Sequence, residues 1–117
     1  FQIVDDALDF APQSVTGKPS GGDVREGKLT PPLRMYRDSL DDAARAAFDQ
    51  AFNDASFTDS DAERIADSIR AAGFDQATRM AAEGYLDKAR AALATLPSGP
   101  EQDILQQMAD YVRDRKK

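Results

Sequence analysis

The sequence predicts an all-α fold, a helical bundle. Three observations carry this expectation. Apolar residues recur at three- and four-residue steps through nearly the whole chain after Pro31. No segment shows the strict alternation of a half-buried strand. Helix start and stop residues punctuate the sequence at short intervals, as in a bundle with short connections.

Each helix is justified in turn. Thr30 before Pro31 reads as an N-cap followed by proline in the first turn, opening a short helix with Leu33, Met35 and Tyr36. Ser39 with Asp42 resembles a capping box for a helix running to about Ala55. Its expected buried stripe is Leu40, Ala44, Ala47, Phe48, Ala51 and Phe52. Thr58, or Ser60 with Glu63, begins the next, with stripe Ala62, Ile65, Ala66, Ile69 and Ala72 and a stop at Gly73. Phe74 to Leu96 is the longest periodic segment, expected to bury Phe74, Ala77, Ala81, Tyr85, Ala89, Leu93 and Leu96. Pro97 ends it. Ser98 with Glu101 caps a last helix presenting Ile104, Leu105, Met108, Tyr111 and Val112, and the chain closes on Arg113, Arg115, Lys116 and Lys117. That end is read as a solvated, frayed tail. Asp59, Asp61 and Glu63 are read as a solvated face or helix N-termini.

Composition narrows the chemistry. The chain has 117 residues, enough for one small domain, and a net charge of −6, which argues against a nucleic-acid partner. No apolar run reaches the length of a membrane span, and no export signal is visible, so a cytoplasmic location is expected. With no Cys and no His, thiolate chemistry, imidazole bases and histidine metal ligands are excluded. What remains are carboxylates, lysines, a bound metal and a substrate's own phosphate.

Those tools are concentrated in the first 28 residues. Residues 1–11 read as a helix ended by Pro12. At helical spacing Gln2, Asp5, Asp6 and Asp9 fall within an arc of about 100°, and Phe1, Ile3, Val4, Ala7, Leu8 and Phe10 fill the rest. A helix this apolar belongs in a core, so carboxylates on one face need a cation against them. No Lys or Arg lies in the helix, so the counter-charge must come from elsewhere in the chain or from solution. Oxygen-only ligands favour a hard cation such as Mg²⁺. Residues 12–29 read as a lid loop. Gly17, Gly21, Gly22 and Gly27 let the backbone approach a ligand, Lys18, Arg25 and Lys28 suit phosphate oxygens, and Asp23 adds a carboxylate.

FQIVDDALD, then the GK at Gly17–Lys18, then GDVREGKLTPP ending at Pro32 resemble the second aspartate-rich region of the trans-isoprenyl diphosphate synthases, the polyprenyl synthetases. A DDxxD alone is common on solvated helices; the ordered combination of fixed positions makes the resemblance specific. It is strong over the front quarter, and the rest agrees as a helical tail. The resemblance implies that residues 1–117 are the C-terminal part of an isoprenoid-synthase-type fold, with residues 30–117 as supporting helices. It implies a Mg²⁺-dependent prenyltransferase that joins an allylic diphosphate to isopentenyl diphosphate through an allylic cation. Carried over by position, catalytic roles fall on Gln2 and Lys18. Substrate binding falls on Gln2, Lys18 and Lys28. Metal ligation falls on Asp5, Asp6, Asp9 and Asp23, with Asp5 first as a direct ligand and Asp6 and Asp9 acting directly or through coordinated water. The basic C-terminal end approaches a diphosphate in some members of that family. The GK and EGK continuation favours a chain-elongating synthase over a terpene cyclase-type relative. A non-catalytic subunit and a helical interaction module are the competing readings from outside enzyme chemistry.

The family's first acidic motif has no counterpart here, because Asp41-Asp42 lacks a third acid at the right spacing. The chain also starts on the motif's first residue, Phe1. The expectation is therefore a fragment that is inactive by itself, from a parent that is a homodimer by resemblance. Such a fragment is expected to self-associate or to pair with its missing N-terminal half.

Overall fold

The computed structural model describes residues 1–116. Lys117 of the basic end lies outside the described residues. Among the described residues eight helices follow in order: α1 (Gln2–Leu8), α2 (Gln13–Thr16), α3 (Gly22–Glu26), α4 (Pro31–Ser39), α5 (Asp42–Asn53), α6 (Asp59–Ala72), α7 (Phe74–Leu93) and α8 (Pro100–Asp114). No strand is present among the described residues, as the sequence predicts. The bundle is elongated, 55 × 29 × 23 Å. Helix α7 is its spine and packs against α1, α4, α6 and α8. No helix of the described residues is long and apolar enough to cross a membrane.

The main core joins the acidic segment to its support. Phe10, Val24, Leu33, Phe48, Ala62, Ile65, Ala66 and Ile69 are buried together, with Tyr36, Leu40, Phe52, Phe57 and Phe74 at the margin. Phe48 is the hub of an aromatic group, 5.9 Å from Tyr36 edge-on, 5.7 Å from a stacked Phe52 and 5.3 Å from Phe57. A smaller cluster of Val4, Leu8 and Ala82, flanked by Ile3, Ala11 and Val112, pins α1 between α7 and the end of α8.

Several boundaries depart from expectation for local reasons. Helix α1 ends at Leu8, not at Ala11, and Phe10 and Ala11 donate to Ala7 and Leu8 in a tightened last turn. Pro12 disfavours helical backbone at the residue before it and lacks the N–H that would extend the ladder. Residues 12–29 are not a plain loop, since they hold α2 and α3. Asp41, not Ser39, caps α5 and accepts from the Ala44 N–H at 2.8 Å, while the Ser39 hydroxyl turns back to the Tyr36 carbonyl. Gly99, not Ser98, occupies the N-cap position of α8. Thr58 caps α6 in a reciprocal box with Asp61, and Gly73 ends that helix as expected. Thr58→Ala should therefore lower stability by about 1 kcal/mol, read as a shift in the urea midpoint at unchanged slope.

The buried faces of α7 and α8 also differ. In α7 the buried residues are Thr78 and Ala82, whereas Tyr85 stays 62 % exposed. Thr78 can be buried because its hydroxyl donates to the Phe74 carbonyl at 2.8 Å. In α8 no residue is buried, and Ile104, Met108 and Tyr111 stay exposed. Only Val112 of its apolar set reaches a core cluster.

Candidate functional site

The site is built where α1, α3 and α6 meet. Asp9, at the C-terminal end of α1, is the joint. Its carboxylate accepts from the Asp23 backbone N–H at 3.0 Å and from that of Gly22, and its own carbonyl accepts from the Gly21 N–H at 2.9 Å. The side chain thus satisfies the free amides at the start of α3 from a distant point in sequence. Two glycines make this approach possible. Gly21 has φ +78°, and a Cβ there would lie 2.9 Å from the Ala62 carbonyl oxygen. A Cβ on Gly22 would lie 2.8 Å from Asp9 Oδ1.

Arginines then bolt the segment to α6. Arg70 donates to the Phe10 carbonyl at 2.6 Å and to the Ser20 hydroxyl at 3.3 Å, and pairs with Asp67. The Ser20 hydroxyl donates to the Ala11 carbonyl at 2.5 Å. Arg25 bonds the Ser20 carbonyl at 2.9 Å and Asp59 at 2.8 Å. Arg25 is therefore a brace between α3 and α6, not a cation waiting for phosphate. Arg70 is not legible in the sequence because it sits beside an apolar stripe and no spacing rule marks a backbone-binding arginine.

The result is an open cleft of about 820 Å³ lined by Asp5, Asp9, Lys18, Asp23, Arg25 and Arg115, among others. Of the residues the sequence nominates, it gathers Asp5, Asp9, Asp23 and Lys18. Gln2, Asp6 and Lys28 are not among its lining residues. Asp6 is buried and accepts from Gln2 at 2.8 Å, so these two side chains serve each other. Lys28 pairs with Glu26 at 2.5 Å on the surface. The cation needed against α1 comes from the far end of the chain: Arg115 Nη1 lies 3.1 Å from Asp5 Oδ1. Asp59, in the first turn of α6 and exposed as expected, and Glu63 also line the cleft.

The electrostatics follow from this crowding. Asp23 is pushed up to about 6, first by loss of solvent and then by the charges of Asp9 and Asp6. Asp9 is raised by burial, against the pull of the Asp23 and Gly22 amides. An acid whose folded-state pKa is raised holds its proton more tightly folded than unfolded. Stability from Asp23 is thus fully present below its ordinary value near 3.8 and is lost as pH rises toward about 6. Asp23→Asn should make the chelator-treated protein more stable at pH 7.5 by about 1 kcal/mol, a value discounted for solvent screening. Parallel urea melts at pH 4.5 and 7.5 check it, with the gain confined to the higher pH.

Among the described residues no three carboxylates converge as a ready-made metal cluster. The donor set nevertheless fits a hard cation. Asp5, Asp9 and Asp23 offer oxygen atoms to one cleft, and their mutual repulsion is the kind a divalent ion relieves.

Comparisons with known proteins agree on one family. The Polyprenyl synthetase family profile matches residues 1–69. Heptaprenyl diphosphate synthase component 2 of Bacillus subtilis is 34% identical, over 99% of this chain and 32% of its own length. The crystal structure of a decaprenyl diphosphate synthase from Rhodobacter capsulatus superposes with a TM-score of 0.83 at 40% identity, covering 99% of this chain and 36% of that one. A polyprenyl synthase from Caulobacter crescentus CB15, complexed with calcium and isoprenyl diphosphate, superposes at 0.81 with 34% identity and the same coverage. The chain thus spans about a third of the length of these relatives. Its acidic helix, its braced glycine-lysine segment and its all-α support follow one pattern from sequence to superposition: the chain belongs to the polyprenyl synthetase family.

Proposed function

We propose that this chain supplies one acidic side of the diphosphate site of a trans-prenyltransferase that joins an allylic diphosphate to isopentenyl diphosphate. The observation that carries the reading is the convergence of Asp5, Asp9, Asp23 and Lys18 on one cleft. The cofactor in this reading is Mg²⁺, which when bound neutralises charge growing on the departing diphosphate. Asp5 and Asp23 offer it oxygen ligands. Asp9 adds a third carboxylate to the cleft and holds the segment that carries Asp23 and Lys18 against α1. Lys18, exposed on the rim, reaches for phosphate oxygens as a flexible point charge. Gln2 donates to Asp6 and holds that carboxylate in place beneath the acidic face. Lys28 assists from the loop once a ligand competes with Glu26 for it.

Its partners in this reading are isoprenoid diphosphates and a further polypeptide segment, or a second copy, that closes the cleft with a matching acidic motif. The isolated chain binds but does not turn over. Titration calorimetry with MgCl₂ and inorganic pyrophosphate tests the binding. Wild-type chain should take pyrophosphate only with Mg²⁺, and Asp5→Ala should weaken that uptake at least about tenfold, as expected for loss of a charged partner. Magnesium-independent binding, or binding untouched by Asp5→Ala, overturns the reading. Product formed from both diphosphates by the isolated chain overturns its inactivity.

A further inference from the structure

We propose that Arg115 is a built-in counter-cation for Asp5, and that a divalent cation taking this carboxylate releases the C-terminal tail from α1. The inference rests on the metal reading above and adds to it a conformational coupling.

Among the contacts of the described residues that hold the tail to the body, two kinds differ in their dependence on charge. One is apolar: Val112 packs against the Val4, Leu8 and Ala82 cluster, which no change of charge disturbs. The other depends on charge. Arg115 Nη1 stands 3.1 Å from Asp5 Oδ1, and its guanidinium lies 4.4 Å over the Phe1 ring. Arg79 steadies the same residue by donating to its carbonyl at 3.1 Å. The Arg115 side chain is only 19% exposed, whereas the Asp5 side chain keeps 50% exposure toward the cleft. The carboxylate is thus approachable from solution while its partner is tucked beneath it.

Arg115 lines the same cleft as Asp5, Asp9 and Asp23. A divalent ion on Asp5 therefore places two like charges within reach of one carboxylate. The ion carries twice the charge and gains the neighbouring carboxylates, whereas a half-exposed ion pair contributes little. The guanidinium is the group that yields. Val112 then acts as the pivot, so the residues beyond it swing while α8 stays docked. Linkage requires the converse: whatever holds the tail on Asp5 weakens metal binding by the same factor that metal loosens the tail.

The test compares wild type, Arg115→Gln and Asp5→Asn, using MgCl₂ alone as the probe. Magnesium affinity is read by calorimetry and tail opening by hydrogen exchange of the residues beyond Val112. Arg115→Gln should bind Mg²⁺ about three- to tenfold tighter, the range that an ion pair of this exposure allows. Saturating Mg²⁺ should speed exchange in the wild-type tail and leave α6 unchanged. Both variants should show the fast tail without any metal, which checks the clasp independently of metal binding. Equal or weaker Mg²⁺ affinity in Arg115→Gln, or a wild-type tail whose exchange ignores saturating Mg²⁺, overturns the proposal. If Asp5→Asn abolishes binding while Arg115→Gln leaves it unchanged, the metal reading stands and the coupling falls. If wild type takes no Mg²⁺ alone but takes it with pyrophosphate, the coupling falls and the metal reading stands; if it takes none in either case, both fall.

Discussion

Replacing Asp9 with alanine should free the glycine-lysine segment and sharply weaken magnesium-dependent pyrophosphate binding in one step. Asp9 is more than another acid on the helix. Its carboxylate receives the Asp23 and Gly22 amides, and its carbonyl receives that of Gly21. Hydrogen bonds to a charged acceptor contribute about 1.5–3 kcal/mol each, so the segment's local opening should rise at least tenfold. Hydrogen exchange across residues 20–28 should read this directly. Pyrophosphate affinity should fall about a hundredfold, because the same change removes a carboxylate and misplaces Asp23 and Lys18. Asp9→Asn separates the two effects. An amide oxygen can still accept from the loop, so exchange should recover in part while binding stays weak. Full binding by Asp9→Asn would show that the residue acts by holding the loop and not by its charge.

Gly21→Ala should cost the whole fold about 2–5 kcal/mol, combining left-handed backbone with forced overpacking. Its φ of +78° alone disfavours a side chain, and the new Cβ would stand 2.9 Å from the Ala62 carbonyl oxygen. Ala62 is fully buried in α6 beside Ile65 and Ala66, so that carbonyl has no room to retreat. Either α3 lifts from α6 or Arg25 and Arg70 lose their partners on Ser20. Urea denaturation measures the loss. Gly17→Ala is the control: its φ of +75° is similar, but nothing lies within 4 Å of the added carbon. It should cost only the backbone term, about 1–2 kcal/mol.

The contrast between these glycines marks what sequence can and cannot express. Both read as positions of backbone freedom, and the pattern holds no hint that one abuts a buried helix and the other open solvent. The same holds for the three aspartates. Their shared arc on α1 was legible from helical geometry, and so was the need for a cation from outside that helix. Which cation was not legible. Arg115 lies 110 residues from Asp5 by their numbering, and only the docking of α8 beside α1 brings them together.

The all-α class, the order of the helices from α4 onward, the stop at Gly73 and the acidic-then-basic character of the first 28 residues were set by the sequence itself. These are consequences of local periodicity, capping and proline chemistry, which act over a few residues. The division of labour among the acids was decided by tertiary structure alone. Asp6 turned inward to Gln2, Asp9 to the loop amides and Asp5 to the tail, because each carboxylate met a different neighbouring element. The choice of buried face in α7 was decided the same way. Its periodicity offers several apolar stripes, and the one carrying Thr78 and Ala82 is buried because that is where α1 and its neighbours lie. Spacing along one helix fixes which side chains share a face; only the packed neighbours determine what that face meets.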